Sequence, residues 1–286
     1  MDIVSNLSNL PKESSLILGF FDGIHLGHQE VIKNSAKNPR ILITFSNSPA
    51  EYFKRDYNYI YTRTDNYKLL ESFGIDFLVE QNFAEIASLS AQEYLDLLVN
   101  SLAPKAITTG FNHTFGFNRT GNPDFLKKHA TSFKYVCTPP TKINDEVVSS
   151  TKIKDFLSNG NIDKANSFLG RNFSIESLVI KGSQIGRTLG FPTANMKYPS
   201  KIVKIPYGVY LVKALNKPAI MNFGIRPSTD CLDELIEVHI PNFKADLYNK
   251  KLRVEIVSRL RNEIKFNDLE ALKTQIEKDV LECLKL

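Results

Sequence analysis

The sequence predicts an α/β, Rossmann-like domain followed by a small antiparallel β-barrel with a C-terminal helix. Two observations predict it. In the first half, apolar strand-like runs alternate with helical stretches, the pattern of a parallel sheet with crossover helices. After about Gly170, short strand-like runs follow one another across turns rich in Gly, Pro and Asn, with a helix expected only at the end. A length of 286 residues agrees with two domains at roughly 150 residues each, placed here at 1–170 and 171–286.

In order, SSLILGFF reads as a buried strand and HLGHQEVIKNSAK as a helix. RILITF is a second strand, followed by a Tyr-rich loop, EYFKRDYNYIYTR, and a helix near DNYKLLESFG. IDFLVE is a third strand, AQEYLDLLVNSL a helix and AITTGF a fourth strand; a helix near NPDFLKKHA precedes a fifth, FKYVCTPP. STKIKDFLSNG and NIDKANSFLG read as two short helices, each ended by Gly. The barrel strands are read in FSIESLVI, GVYLVKAL, AIMNFGI, LIEVHI and KLRVEIVSRL. In the closing helix, Asn267 and Glu270 form the expected N-cap pair, and Leu269, Leu272, Ile276, Val280, Cys283 and Leu284 recur at helical spacing.

Composition narrows the function. With 42% hydrophobic and 23% charged residues, both halves can bury a core. Fourteen Gly and thirteen Pro exclude collagen-like and low-complexity classes. No run approaches the roughly 18 apolar residues of a membrane span, and MDIVSNLSNLPKESS lacks the plan of a signal peptide. Cys137, Cys231 and Cys283 are odd in number and far apart, which supports neither a disulfide framework nor a zinc knuckle. The expectation is a soluble, cytoplasmic protein with no membrane partner. A net charge of +5, spread along a chain without Trp, suits a polyanionic small molecule as well as nucleic acid; no nucleic-acid partner is expected.

A first candidate site lies in GFFDGIHLGH. His25 and His28 stand at i and i+3 at the mouth of a helix that follows a buried strand, with Gly19, Phe21 and Asp22 in the turn. Backbone N–H groups and the helix dipole favour phosphate there. Two imidazoles at that mouth can donate to an α-phosphate as charge builds on its oxygens, worth about 2–4 kcal/mol per donor. A zinc pair or ordinary surface histidines are the alternatives, and zinc lacks its further ligands nearby. In VVSSTKIKDFL, an N-cap would explain Ser149, Ser150 or Thr151. Lys152 and Lys154 in the first turn oppose the dipole, an arrangement that makes sense if an anion sits at the amino end. The hydroxyls and ammonium groups would then hold β- and γ-phosphates that leave as pyrophosphate.

A second candidate lies in IKGSQIGRTLGFPTANM. It lacks the ending of a Walker loop, so the common phosphate-loop reading fails. Gly182, Gly186 and Arg187 are candidate phosphate contacts. Thr193 and Asn195, two apart in extended chain, project to one side as hard oxygen ligands suited to Mg²⁺; a polar Gly/Pro turn is the plainer alternative. In LIEVHIPNF, strand alternation puts Ile236, Val238 and Ile240 on one face and Glu237 with His239 on the other. Those two groups are either solvated or line a pocket, where a carboxylate can take the proton of an alcohol attacking a γ-phosphate.

GFFDGIHLGH, TGFNHTFGFNRTG and VVSSTKIK, followed by GRTLGFPTAN, IPYGVY, NFGIRPS, IEVHIPNFKADLY and RLRNEIKF, resemble in this order the bacterial bifunctional riboflavin kinase/FMN adenylyltransferase (FAD synthetase) family, from about Gly19 to Phe266. The resemblance implies that the first half joins AMP from ATP to FMN, releasing pyrophosphate, and that the barrel phosphorylates riboflavin with MgATP. It implies that His25 and His28 match the HxGH motif, Asn112 an Asp/Asn position, and Ser150 and Thr151 the SSTxIR motif. Thr193 and Asn195 are implied for metal and nucleotide, Glu237 as base and Arg261 near the flavin end. Several positions depart from the family pattern: Ser48 stands where a His is frequent, Lys154 where the motif has Arg, Asn249 replaces the Gly of an LYG turn, and Ser228 replaces a Thr. Asn tolerates a left-handed turn, so the backbone is expected to keep its shape there. Ser48 and Lys154 motivate a rival reading, a kinase with a weakened or lost adenylyl step. Two other rivals are a non-catalytic flavin- or RNA-binding regulator, and another HxGH nucleotidyltransferase; the last leaves the second half unexplained.

Overall fold

Strands covered on both faces are near-continuous apolar runs, and those of the first half fold accordingly. The computed structural model describes residues 1–182, 185–227, 232–266 and 268–286. The chain packs as two units, Met1–Tyr59 with Arg63–Ser150, and Ile60–Thr62 with Thr151–Leu286. The sequence places the division at 170/171; the packing division falls after Ser150, the first residue of the first short helix.

In the first unit the chain runs β1 (Asp2–Val4), β2 (Ser15–Leu18), α1 (Leu26–Asn34), β3 (Arg40–Phe45), α2 (Pro49–Tyr52), α3 (Arg63–Ser72), β4 (Phe77–Gln81), α4 (Phe83–Ile86), α5 (Ala91–Leu102), β5 (Ala106–Gly110), α6 (Pro123–His129), β6 (Lys134–Thr138) and a small hairpin, β7 (Lys142–Ile143) and β8 (Glu146–Val147). The main sheet has the order β1-β4-β3-β2-β5-β6, and every pair is parallel. Alternate strand residues feed two cores. Leu16, Leu18, Ile41, Ile43 and Val79 pack with Tyr94, Leu95 and Leu98 of α5. Ile17, Leu42 and Leu78 pack with Val31 and Ile32 of α1 and Leu70 of α3. Burying each such side chain contributes about 1.5–3 kcal/mol. The order reverses at β2, whose neighbours are β3 and β5, so the crevice beyond the carboxyl ends of β2 and β5 is the switch point where open α/β sheets bind ligands.

The sequence reading counted five strands here. The sixth, β1, is a three-residue edge strand beginning at exposed Asp2, too short to show a period.

The second unit runs α7 (Ser150–Ser158, its first residue belonging to the first unit), α8 (Ile162–Leu169), β9 (Phe173–Ile180), α9 (Ile185–Thr188), β10 (Thr193–Lys197), β11 (Gly208–Ala214), β12 (Lys217–Pro227), β13 (Leu232–His239), β14 (Lys251–Arg261) and α10 (Leu269–Cys283). Gly160 and Gly170 end the two short helices at φ +75° and +70°. The strands close a barrel in the order β10-β13-β12-β11-β14-β9, β9 pairing back to β10. Two expectations are corrected. PTAN opens a sixth barrel strand, because Thr193–Lys197 pairs on both edges, and the one-turn α9 interrupts what was read as an uninterrupted run of strands. One face of the strands is the core: Met196, Tyr210, Val212, Met221, Phe223, Ile236, Val238, Val254 and Ile256 are all buried.

Asp268 rather than Asn267 caps α10, accepting a hydrogen bond from the Ala271 N–H at 2.8 Å. Asn267 and Ser228 lie outside the described residues. Of the apolar repeat, Leu272, Ile276, Val280 and Cys283 are covered, whereas Leu269 and Leu284 are exposed. Asn249 adopts φ +59°, the left-handed turn expected of it.

The β11–β12 hairpin turns on Leu215 and Asn216, both at positive φ (+53° and +59°). Such a two-residue turn favours Asn-Gly, and Leu there carries a left-handed backbone cost of about 1–2 kcal/mol. Leu215 is itself exposed. Leu215→Asn is therefore expected to stabilise the protein by about 0.5–1 kcal/mol, read as a higher melting temperature.

Candidate active sites

The first site forms where β2 ends. His25 is the N-cap of α1, its Nδ1 accepting from the His28 N–H at 3.3 Å. The two imidazoles stack at 3.6 Å between ring centroids, 15° from parallel, and Phe21 leans on His28 at 4.7 Å. Gly27 lets the rings take that position, since a Cβ there would stand 3.2 Å from the His25 ring. Likewise a Cβ on Gly19 would stand 3.0 Å from the Phe21 ring.

The turn between them is strained and braced. Gly23 (φ +83°) and the fully buried, β-branched Ile24 (φ +42°) both lie in the left-handed region. Asn66 clamps this turn, donating to the Phe21 carbonyl at 2.9 Å and accepting from the Gly23 N–H at 3.2 Å. Buried Asp22 accepts from the Tyr57 hydroxyl at 2.8 Å, and its carbonyl accepts from the Ser150 hydroxyl at 2.9 Å. The SST segment thus reaches the HxGH turn through Ser150.

Other expected residues fall as follows. Asn112 is exposed just beyond β5, its Oδ1 beside Gly110. Ser150 is the first residue of α7, and its hydroxyl donates to the Asp22 carbonyl. Thr151 is the second residue of α7; Lys154 is the fifth, in the second turn rather than the first as expected from the sequence.

Ser48 has a definite task. It caps α2 in a capping box with Glu51, and its N–H meets both the Glu51 carboxylate (2.9 Å) and the Tyr59 hydroxyl (3.0 Å). Tyr57 and Tyr59 pack edge to face at 4.9 Å, and burial raises both phenols well above their ordinary value. Tyr57 and Asn66 were missed by sequence reasoning. The Tyr-rich run was the available signal for the first; a single Asn within a helix offered none.

The second site is a row across three strands. In register, Asn195 of β10 faces Glu237 of β13, which faces Asn222 of β12. One step along, Thr193 faces His239, which faces Ile220. Directly opposed residues bring their Cβ atoms to roughly 5 Å. This row lies on the face opposite the barrel core, in agreement with the expected split of LIEVHI. Asn222 is an addition, hidden in an apolar-looking strand until the register is known.

Thr193 and Asn195 stand between two cavities of the second unit. One, of about 620 Å³, lies towards Phe243, Lys244 and Asp246. The other, of about 340 Å³, holds Glu237, His239, Asn222 and Arg261 within mostly apolar walls. Asn195 is 4% exposed, and its Oδ1 has no hydrogen-bond partner while its amide nitrogen donates to the Thr193 carbonyl at 3.3 Å. An orphaned, hard, buried oxygen beside a threonine hydroxyl suits Mg²⁺, which takes its other oxygens from phosphates and water.

Gly182 packs against that amide so closely that a Cβ would come within 2.6 Å of it. Gly186 accepts at its carbonyl from the Phe191 N–H (2.7 Å), and a Cβ on it would strike the Phe191 carbonyl. Both glycines are therefore needed for close packing of the loop. The Arg187 side chain lies outside the described residues. His239 donates from Nδ1 to the Pro192 carbonyl at 2.9 Å, which pins the start of β10, and burial lowers its pKa. Arg261 pairs with Asp279 of α10.

The fold and geometry are those of a two-domain α/β-plus-barrel protein, with a helix mouth suited to anions in one unit and a polar barrel-face row carrying Glu237 in the other. Two family models match the chain, FAD synthetase over residues 7–152 and riboflavin kinase over residues 169–286. The proteins named bifunctional riboflavin kinase/FMN adenylyltransferase from Buchnera aphidicola (strain Sg), Haemophilus influenzae and Bacillus subtilis are 35%, 32% and 33% identical. Those alignments cover 97%, 96% and 96% of this chain and 95%, 94% and 92% of theirs. The chain belongs to this bifunctional family. Its fold also matches a solved structure from Streptococcus pneumoniae titled a macrolide-efflux protein, with a TM-score of 0.91 at 27% identity over 99% of this chain and 98% of that one. Among the described residues here, no helix is long and apolar enough to cross a membrane.

One half-buried histidine lies beside the first site. His113 follows Asn112, stacks on Phe115 at 5.7 Å and has a buried, unpartnered Nε2; burial lowers its pKa to about 4. The unfolded histidine takes up its proton near pH 6.5 while the folded one stays neutral, so stability falls as pH drops from about 6.5 to about 4. The loss is on the order of 3 kcal/mol, and His113→Phe is expected to remove it, as read from melting temperatures across that range.

Proposed function

We propose that the chain makes FAD from riboflavin in two ATP-consuming steps, the barrel forming FMN and the Rossmann-like domain adenylylating it. On this reading the 171–286 region carries the kinase and the 1–170 region the adenylyltransferase. The carrying observation is the row on one barrel face, with Glu237 opposite Asn195 in the smaller cavity and Thr193 and Asn195 lining both cavities.

In the kinase step, the ribityl 5′-hydroxyl of riboflavin lies towards Glu237, which takes its proton as the oxygen attacks the γ-phosphorus of ATP, the bond to the β,γ-bridging oxygen breaks and ADP leaves. Thr193 and Asn195 would hold Mg²⁺, which offsets the negative charge of the phosphates when bound. Gly182 and Gly186 keep the loop low over that place, and Arg187 is kept from the sequence as a phosphate contact. Arg261 belongs to the flavin end of the smaller cavity.

In the adenylyl step, an FMN phosphate oxygen attacks the α-phosphorus of ATP and pyrophosphate leaves. His25 and His28, fixed by the cap and the stack, donate to the α-phosphate oxygens as charge grows there. The turn at Gly19, Phe21 and Asp22 lies against the nucleotide, together with Asn112. Ser150, Thr151 and Lys154 receive the departing phosphates, as their motif implies.

A second reading, a kinase with a slow adenylyl step, is favoured by one observation. Ser48 is 2% exposed, and its hydroxyl is engaged as a helix cap where the family frequently has an imidazole. FAD and pyrophosphate formed from supplied FMN and ATP separate the two.

Glu237→Gln is expected to lower FMN formation by 10²–10⁴-fold while still converting supplied FMN to FAD, followed by chromatography of the three flavins. His28→Ala is expected to do the reverse, accumulating FMN, with the adenylyl rate down by about 10²–10³-fold. Simultaneous loss of both reactions in either folded variant would refute the division of labour.

A further inference from the structure

We propose that Asp279, on the C-terminal helix, is a positioning residue of the second site: it holds the Arg261 guanidinium as the polar end of the Glu237 cavity, so that riboflavin is gripped only while α10 is docked. This rests on the reading that this cavity takes the flavin.

Arg261 is the last residue of β14, and α10 lends the same cavity Leu272, Ile276 and Asp279. The two side chains are 19% and 6% exposed. The pairing is a fork: Nε donates to both Asp279 oxygens at 3.1 Å, and Nη2 to Oδ2 at 2.7 Å. Gln275, one turn earlier, donates to Asp279 Oδ1 at 2.9 Å, and Arg261 Nη1 donates to the Asn262 carbonyl at 3.0 Å.

A long cationic side chain otherwise samples many rotamers, and this geometry selects one. Arginine has five N–H donors. The bonds above engage the Nε hydrogen and one on each terminal nitrogen, which leaves one on each terminal nitrogen for an acceptor. Two such donors in a plane match a ring edge bearing carbonyl oxygens, which the flavin pyrimidine ring supplies. The apolar walls suit the rest of that ring system.

A buried pair of this kind also staples a helix to a barrel, and that role alone would predict only a change in stability. The test separates the two. In the full-length protein, riboflavin KM, ATP KM, kcat for FMN formation and melting temperature are measured for Asp279→Asn, Gln275→Ala and the double replacement Arg261→Met/Asp279→Leu. Asp279→Asn is expected to raise riboflavin KM on the order of tenfold, with ATP KM within about twofold of the original. Gln275→Ala should raise riboflavin KM by about two- to threefold.

The double replacement restores an apolar contact between helix and strand. It is expected to melt near the unmodified protein and still show the raised riboflavin KM. A double variant with normal riboflavin KM, or parallel rises in both KM values across the set, would overturn the proposal and leave only the staple. If Asp279→Asn does not fold, the other two variants decide it. Failure of the unmodified protein to form FMN would instead refute the reading of the cavity itself.

Discussion

Antiparallel register is the constraint on which the second site depends. Asn195, Glu237 and Asn222 lie far apart in the chain, yet hydrogen-bond pairing of β10, β13 and β12 sets them in one line. Because side chains alternate, the same pairing sends Met196, Ile236, Val238, Met221 and Phe223 into the core. A slip of one residue would exchange the two sets, burying a carboxylate and exposing the apolar side chains. The free energy that folds the barrel is thus what assembles the chemistry on its outer face. His239 adds a local pin, since its bond to the Pro192 carbonyl fixes where β10 begins.

The first site rests on a different device. A parallel sheet leaves its strand ends pointing at one rim, and the reversal of order at β2 opens a crevice there. The turn that fills this rim is held against its own preference, with Ile24 in a left-handed conformation. Asn66, Tyr57 and Ser150, from three separate segments, supply the bonds that hold it. Strain braced from several directions gives a rigid turn, and a rigid turn can present two stacked imidazoles without reorganising.

Much of this was legible in the chain. The 3.6 and 2 periods located the longer helices and most strands but not the one-turn helices α2, α4 and α9, and HxGH, PTAN and the ExH strand marked the residues that define the candidate sites. The failures share a cause: information that is not local. β1 is too short to have a period, β10 is a strand because both of its edges find partners, and Asn222 matters because of what lies opposite it. Asn66 and Tyr57 gain their meaning from a backbone turn more than thirty residues away in sequence. Ser48 shows the converse, a conspicuous departure from a family pattern that has a plain local use as a cap.

Cys283 sits at the end of α10 with no exposed surface, packed near Val209 and Ile220, and burial raises its pKa. Cys137, by contrast, is exposed. Alkylating reagents attack the thiolate, so the sulfur of Cys283 becomes reactive only in those moments when the terminal helix lifts from the barrel. The molecule therefore carries a built-in stopwatch for that motion, with the surface sulfur of Cys137 as its reference.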